Sequence, residues 1–336
     1  MSDRPVLRAG ADGDAVRELQ RRLAALGFAV PIDERGRFGA ATEAEVRAFQ
    51  EQRALRVDGV CGAQTWSALV ESEFHLGGRM LYVRQPMLRG DDVFELQHRL
   101  NGLGFDAGKE DGIFGPDTET ALTEFQRNAG IAADGIFGPD TTAALARMSG
   151  PRAGTPTEGS VASVREREEL RRGEYRLDRC KIFVAVAAPL DAVGTRVHRA
   201  LAGRGAEIEL DVTGADDSSL AAAANDFGAD LFLGIRPGDE PGVRCSYYSS
   251  GRFRSEVGFR VATAVGSELG AVLHTDVAVC GLAHAVLRET RMAAVVCEPV
   301  AAIDGEAAGL AASADRMAEA IERGVRRGLE EPTDPR

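Results

Sequence analysis

The chain has 336 residues, 44% of them hydrophobic and 27% charged, which is the composition of a soluble globular protein. This length predicts two or three domains rather than one. The net charge of −12 argues against a nucleic-acid partner, because the most basic segment, VREREELRRGEYR at 164–176, interleaves both signs. No stretch reaches the roughly 18 apolar residues of a membrane span. The first residues lack the basic region and apolar core of a secretory signal.

The five cysteines are odd in number and widely spaced, and no CxxC pattern occurs. Such a pattern favours reduced thiols in a reducing cytoplasm over a disulfide framework. The residues concerned are Cys61, Cys180, Cys245, Cys280 and Cys297.

The N-terminal half contains an internal repeat. LQRRLAALGF at 19–28 aligns with LQHRLNGLGF at 96–105. Nine further positions align in the same order: Gly36, Phe38, Phe49, Gln50, Asp58, Gly59, Gly62, Thr65 and Leu69 with Gly112, Phe114, Phe125, Gln126, Asp134, Gly135, Gly138, Thr141 and Leu145. The two copies span residues 6–72 and 85–148.

Each copy is predicted to be a small helical bundle. Val16, Leu19, Leu23 and Leu26 recur at helical spacing on one face. The octet DGIFGPDT occurs at 111–118 and again at 134–141, and it has the residues of a tight turn followed by a helix start. Its Ile and Phe are expected to point into the core, so packing and capping account for most of the motif.

DGIFGPDT, FQ and LQxxLxxLGF in this order resemble the peptidoglycan-binding domain, a three-helix module of cell-wall hydrolases. The resemblance implies a shallow groove for a glycan or a stem peptide. Phe114, Asp134 and Phe137 are the candidate binding residues in the second copy. Reuse of this groove as a protein-docking surface is the alternative.

A linker at 149–178 follows, rich in Gly, Pro, Ser and Thr at its start and predicted to contain a charged helix at about 163–172. From 179 to 330 short apolar runs alternate with helical segments, which predicts an α/β domain. Its mostly parallel sheet should carry helices on both faces. Residues 331–336 form a tail that is expected to be flexible.

In this domain the sequence predicts strands at 181–187, 206–212, 229–235, 243–249, 272–278 and 293–300. Predicted helices lie between them at about 190–203, 218–228 and 255–270, in HAVLRET, and at 304–329.

The C-terminal domain resembles the zinc-dependent N-acetylmuramoyl-L-alanine amidase domain. The resemblance rests on NDFGADLFLGI at 225–235, SYYSS at 246–250 and VLRETRMAAVVCEPV at 286–300. It implies three zinc ligands, an open position for water and a carboxylate that transfers protons. In the family, a His and a Glu follow the first strand, a second His ends the central strand, and a Glu on a late strand is the general base.

Only the last of these positions is kept, as Glu298. AAPLDAVGTRVHRAL follows the first strand without a His-Gly-Gly loop, and Arg236 stands where the third ligand should be. A guanidinium cannot coordinate zinc. We therefore expect no metal site and predict an Arg236–Glu298 ion pair in its place. Arg236 and Arg288 are the candidate binding residues here, and His198 and His284 are weak ligand candidates.

The motif order of the whole chain resembles the CwlM-type amidase-like proteins of actinobacteria. That resemblance implies a non-catalytic cytoplasmic regulator of peptidoglycan precursor synthesis, which binds a precursor or a biosynthetic enzyme. The enzyme implied is the UDP-N-acetylglucosamine enolpyruvyl-transferase, with control by a Ser/Thr kinase. Thr333 is the candidate phosphosite, with Thr155 and Thr157 as rivals.

Two alternatives remain open from the residues. The first is an active zinc amidase that hydrolyses the MurNAc–L-Ala bond, which would require zinc as a cofactor. The second is a purely structural wall-binding protein. The regulator itself needs no cofactor.

Overall fold

The computed structural model describes residues 5–28, 33–148, 175–239, 241–250, 253–299 and 307–330, with side chains from 313 in the last segment, and Glu166, Glu168 and Leu170 of the linker. The chain forms two compact units. One comprises Met1–Ala162 with Ser250–Phe253, and the other Ser163–Ser249 with Arg254–Arg336. Within the described residues, no helix is long and apolar enough to cross a membrane.

Each repeat in the first unit is a three-helix bundle, as predicted. The helices are α1 (Asp14–Ala25), α2 (Ala40–Gln52) and α3 (Ala63–Glu71) in the first repeat, and α4 (Asp91–Gly102), α5 (Pro116–Ala129) and α6 (Pro139–Met148) in the second. Val16, Leu19 and Leu23 are fully buried in the first core, which confirms the helical face read from their spacing.

Ion pairs join the two repeats within this unit. The guanidinium of Arg53, the residue directly after α2, makes two hydrogen bonds to Asp91 in the first turn of α4, at 2.8 and 2.7 Å. Arg22 on α1 holds Glu73 of the connecting segment at 2.8 Å. A planar guanidinium that binds both carboxylate oxygens fixes orientation as well as distance. The connection between the repeats is therefore anchored at both ends.

The second unit is a six-stranded sheet with helices on both faces, as predicted. Its elements in chain order are β1 (Lys181–Val186), α7 (Asp191–Ala202), β2 (Glu207–Asp211), α8 (Asp217–Phe227), β3 (Leu231–Ile235), β4 (Val243–Tyr248), α9 (Glu256–Leu273), β5 (Val277–Leu282), α10 (Ala285–Glu289), β6 (Ala293–Glu298) and α11 (Ala307–Glu330). The strand order is β2-β1-β3-β6-β4-β5. All neighbours are parallel except β4 and β6.

The strand predicted at 272–278 is wrong in position. Helix α9 continues to Leu273, because Val272 and Leu273 still pack against the core. His274 then ends the helix in the left-handed conformation, at φ 52°, and the strand begins at Val277. The start of the linker, at 149–163, and the tail at 331–336 lie outside the described residues.

The described part of the predicted linker helix lies in the second unit. Glu166, Glu168 and Leu170 are helical. The carboxylate of Glu166 accepts a hydrogen bond of 2.7 Å from the backbone N–H of Glu256, at the start of α9. A negative charge is favourable at this end of a helix. Leu170 packs against the core of the unit.

Helices α9 and α11 pack through glycines with almost no space between their backbones. A Cβ on Gly324 would lie 2.4 Å from Cα of Val265, and a Cβ on Gly328 would lie 2.6 Å from Cα of Val261. Because the neighbouring atoms belong to the backbone, no side-chain rotation can make room. Glycine is required here by close approach.

We predict that Gly324→Ala lowers the free energy of unfolding of the second unit by about 2 kcal/mol, because α11 must move away from α9. Far-UV circular dichroism during urea unfolding measures this effect. Trp66 is the only tryptophan and lies in the first repeat, so its fluorescence transition should stay unchanged. Glu319→Ala, on the exposed face of α11, is the matched control and should alter neither transition. Equal stabilities for Gly324→Ala and wild type would contradict the packing argument.

Candidate functional site

Buried glutamine side chains form hydrogen bonds with the motif octets. The side-chain Nε2 of Gln126 lies 2.9 Å from Oδ1 of Asp134, 3.0 Å from the carbonyl of Ile136 and 3.1 Å from Oγ1 of Thr141. Its Oε1 accepts the N–H of Gly135 at 2.9 Å. One amide thus fixes the turn and the first residues of α6.

The same arrangement recurs at two other places. Gln50 contacts Asp58, Val60 and Thr65. Gln97 makes the equivalent contacts with the first octet of the second repeat, through Asp111, Ile113 and Thr118. Gln20 has a reduced version, to Thr42 and the carbonyl of Arg37, where the motif in the sequence is also looser.

The candidate binding residues of the second repeat lie in and around these octets. Phe114 and Phe137 are buried in the core, with 0% and 1% of their surface exposed, as expected for the Phe of the octet. A part in ligand binding for either residue stays a prediction. Asp134 is exposed, and its pKa is lowered by the N–H of Ile136 and by the Gln126 amide. A binding role for Asp134 stays a prediction.

We predict that Gln126→Leu destabilises the second repeat by roughly 3 kcal/mol, because several buried hydrogen-bonding groups lose their partner at once. Hydrogen-exchange mass spectrometry of residues 116–148 measures the loss of protection. Asn128→Ala, on the exposed side of the same helix, should leave protection nearly unchanged. Unaltered exchange in Gln126→Leu would show that the glutamine does not organise the octet.

In the second unit, the carboxyl ends of β3 and β6 bring Arg236 and Glu298 together. The strands are parallel neighbours with Ile235 paired to Cys297, so the next residues emerge side by side. Nε of Arg236 lies 3.0 Å from Oε1 of Glu298. The ion pair predicted from the sequence is present.

Three further polar groups surround this pair. Nη1 of Arg244, on β4, lies 3.4 Å from the other carboxylate oxygen of Glu298. Oδ1 of Asp217, in the first turn of α8, lies 3.6 Å from Nη1 of Arg236. Nε2 of His284, the residue before α10, lies 3.4 Å from Nη2 of Arg236. We call Asp217, Arg236, Arg244, His284 and Glu298 the charge cluster.

The charge cluster is largely shielded from solvent. The side chain of Glu298 is 8% exposed and that of Arg236 is 33% exposed. A carboxylate this buried is stable only beside compensating charge and hydrogen bonds. Both oxygens of Glu298 have a guanidinium partner, so its charge is matched within the protein.

Asp217 and Arg244 could not be identified from the sequence, and His284 was only a weak ligand candidate. Each of the three lies at or near the start of a different element. The sequence shows only that these residues are polar and stand near the ends of predicted strands and helices. Grouping them requires the order of the strands in the sheet, which the sequence pattern does not give.

The residues at this edge do not fit a catalytic zinc ion. Strand β1 ends at Val186, and α7 begins at Asp191, so no ligand loop lies between them. A Cβ on Gly194 of α7 would lie 2.3 Å from Val186, so the helix is packed directly against the strand. Arg236 brings a permanent positive charge to the third ligand position. Within the described parts of the chain, no group of three or more His, Cys, Asp or Glu residues could hold a metal.

Three further candidates from the sequence are His198, Arg288 and Thr333, and the backbone N–H of Arg288 donates to the carbonyl of His284 at 3.0 Å. His198 is a half-buried residue of α7, and Arg288 is a half-buried residue of the short helix α10. Thr333 lies outside the described residues. The structure therefore leaves the binding role of Arg288 and the modification of Thr333 as predictions.

We predict that Arg236→Ala lowers the free energy of unfolding of the second unit by about 2 kcal/mol, because Glu298 and Asp217 lose a partly buried partner. Urea unfolding followed by circular dichroism is the measurement. Arg196→Ala removes a surface pair with Asp315, whose side chain is 72% exposed, and should change the stability by less than about 0.5 kcal/mol. If Arg236→Ala is as stable as that control, the ion pair does not stabilise the domain.

Known proteins match both the N-terminal repeats and the C-terminal domain of this chain. Residues 12–69 and 89–145 match the family described as "Putative peptidoglycan binding domain". The N-acetylmuramoyl-L-alanine amidase CwlM of Mycobacterium tuberculosis is 32% identical over 323 residues, covering 86% of this chain and 77% of that protein. The N-acetylmuramoyl-L-alanine amidase CwlL of Bacillus licheniformis is 34% identical over 149 residues, or 38% of this chain and 41% of that one.

Among solved structures, an N-acetylmuramoyl-L-alanine amidase from Clostridium difficile 630 matches 46% of this chain and 98% of its own, at 17% identity and a TM-score of 0.40.

Proposed function

The chain belongs to the family of CwlM-type amidase-like proteins, and on that premise we propose that it is a non-catalytic regulator of peptidoglycan biosynthesis. Its peptidoglycan-binding-type repeats and its amidase-like domain give it a peptidoglycan-related partner. The observation that carries the non-catalytic reading is the Arg236–Glu298 ion pair at 3.0 Å. It stands where an amidase of this fold needs a metal ligand beside its general base.

Hydrolysis of the MurNAc–L-Ala amide needs an activated water and a carboxylate that can accept its proton. In this chain both oxygens of Glu298 already contact guanidinium groups, from Arg236 and Arg244. Glu298, at the general-base position, is thus held in ion pairs with two side chains of the protein itself. We propose that the domain has kept its fold as a recognition surface.

A cytoplasmic location is part of the proposal and is supported by the thiols. Cys245 and Cys297 are fully buried on neighbouring strands, with their sulfur atoms 3.7 Å apart and no disulfide between them. Such a pair of thiols is typical of proteins in reducing compartments. There the partner would be a muropeptide precursor or a biosynthetic enzyme, with the UDP-N-acetylglucosamine enolpyruvyl-transferase as first candidate. A Ser/Thr kinase acting on Thr333 would adjust that interaction.

The competing function is an active zinc amidase. One observation favours it: the relative from Mycobacterium tuberculosis carries the name of an amidase and matches most of this chain. It would require Arg236 to leave the charge cluster and new ligands to assemble in its place.

We predict that purified chain holds far less than one zinc per molecule and releases no stem peptides from sacculi, because the third ligand position carries a guanidinium. Elemental analysis and chromatography of the digest are the measurements, with a catalytically active amidase as the positive control. Stoichiometric zinc together with released stem peptides would overturn the proposal.

Affinity purification from the native cell, with and without phosphatase treatment, distinguishes a regulator from a structural wall-binding protein. A regulator should retain a biosynthetic enzyme in a phosphatase-sensitive manner and bind insoluble peptidoglycan weakly. Strong sedimentation with sacculi and no retained enzyme would favour the structural role.

A further inference from the structure

The two edges of the sheet differ in charge. Strand β2, at one edge, has the sequence EIELD and exposes acidic side chains. Strand β5, at the other edge, has the sequence VAVCGL, with no charged residue and no proline. Val277 is 39% exposed, and Ala278 is also exposed. Charged residues protect sheet edges against pairing with another chain, and β5 lacks this protection.

The ladder between β4 and β5 shows which backbone groups face outward. The N–H of Val243 donates to the carbonyl of Asp276 at 2.9 Å, and Val243 is in register with Val277. In a parallel pair, residues turn their backbone groups alternately to one side and the other. Ala278, Cys280 and Leu282 therefore bond to β4. The N–H and C=O groups of residues 277, 279 and 281 point to the open edge.

We propose that this edge pairs with β5 of a second copy of the chain, antiparallel about a twofold axis through Val279. In this register Val279 lies opposite its own mate, and Val277 lies opposite Gly281 of the other copy. Every outward N–H and C=O of these residues then has a partner. The contact is isologous and closed, so it ends at a dimer.

A second copy suits this edge because the pairing is self-compatible. The opposed side chains are apolar or small throughout, and no like charges meet. The same operation on β2 would place Glu209 opposite its own mate and Glu207 opposite Asp211 of the other copy, and like charges directly opposite each other are destabilising. The twofold axis also leaves α9 on the same face of both sheets, so that the two sheets continue as one.

The strand is already held in the conformation that pairing requires. The methyl groups of Val277 fit against Gly266 and Gly270 of α9, where an added Cβ would lie 2.8 and 2.3 Å from them. Little ordering of the edge is needed on association, which favours binding.

Sedimentation velocity of the full chain tests the interface. Wild type should sediment as a concentration-dependent dimer. Ala278→Lys should weaken dimerisation at least tenfold, because it brings two like charges together across the interface. The two residues at position 278 would form a diagonal pair, roughly 7–8 Å apart at the backbone. Glu209→Lys, at the opposite edge, should leave the dimer intact. Circular dichroism confirms that each variant is folded.

A short bismaleimide provides the second measurement. Cys280 is half-buried, whereas the other four cysteines are buried. In the proposed register it should cross-link to its mate, and Cys280→Ser should abolish the cross-link while preserving the dimer. A wild-type monomer at high concentration would overturn the proposal, and so would a dimer that Ala278→Lys leaves unchanged.

Discussion

The contact between Arg236 and Glu298 determines what the carboxyl edge of the sheet can do. A carboxylate as buried as Glu298 needs a positive charge next to it. In a zinc enzyme a metal ion can supply that charge, whereas here a side chain supplies it from the end of β3. A covalently attached guanidinium does not dissociate, and it leaves no open coordination position for water. Asp217, Arg244 and His284 then complete a network whose charges are satisfied by one another rather than by a ligand.

A similar principle operates in the repeats, where buried hydrogen bonds account for the visible motif. Gln97 and Gln126 each hold the aspartate, the turn and the threonine of one octet. The octet therefore recurs because the second and third helices of this repeat both begin with the same closure. Its repetition identifies the fold, and the ligand must be sought on the exposed residues around it. The motif therefore identifies the type of domain without identifying its ligand.

Much of the architecture could be predicted from local patterns, since helical spacing and strand alternation are properties of neighbouring residues. The two bundles and the mostly parallel sheet followed from them, whereas the pairing of Arg236 with Glu298 followed from the resemblance to the amidase domain. The strand β5 did not, because its first predicted residues, Val272 and Leu273, are as apolar in a helix as in a strand. The charge cluster was also beyond local reasoning. Asp217 meets Arg236, and Arg244 meets Glu298, only through the order of the strands, which periodicity does not encode.

These features together separate the surfaces of the molecule that can meet a partner from those that cannot. The carboxyl edge of the sheet carries ion pairs between its own side chains, and the phenylalanine rings of the octets are buried in the bundles. Helices α9 and α11 are in such close contact that neither can move without the other. Among the described residues, the exposed surface of the repeats and the uncharged edge at β5, which packs against α9, stay available. Fixed surfaces of this kind suit the recognition role that we propose.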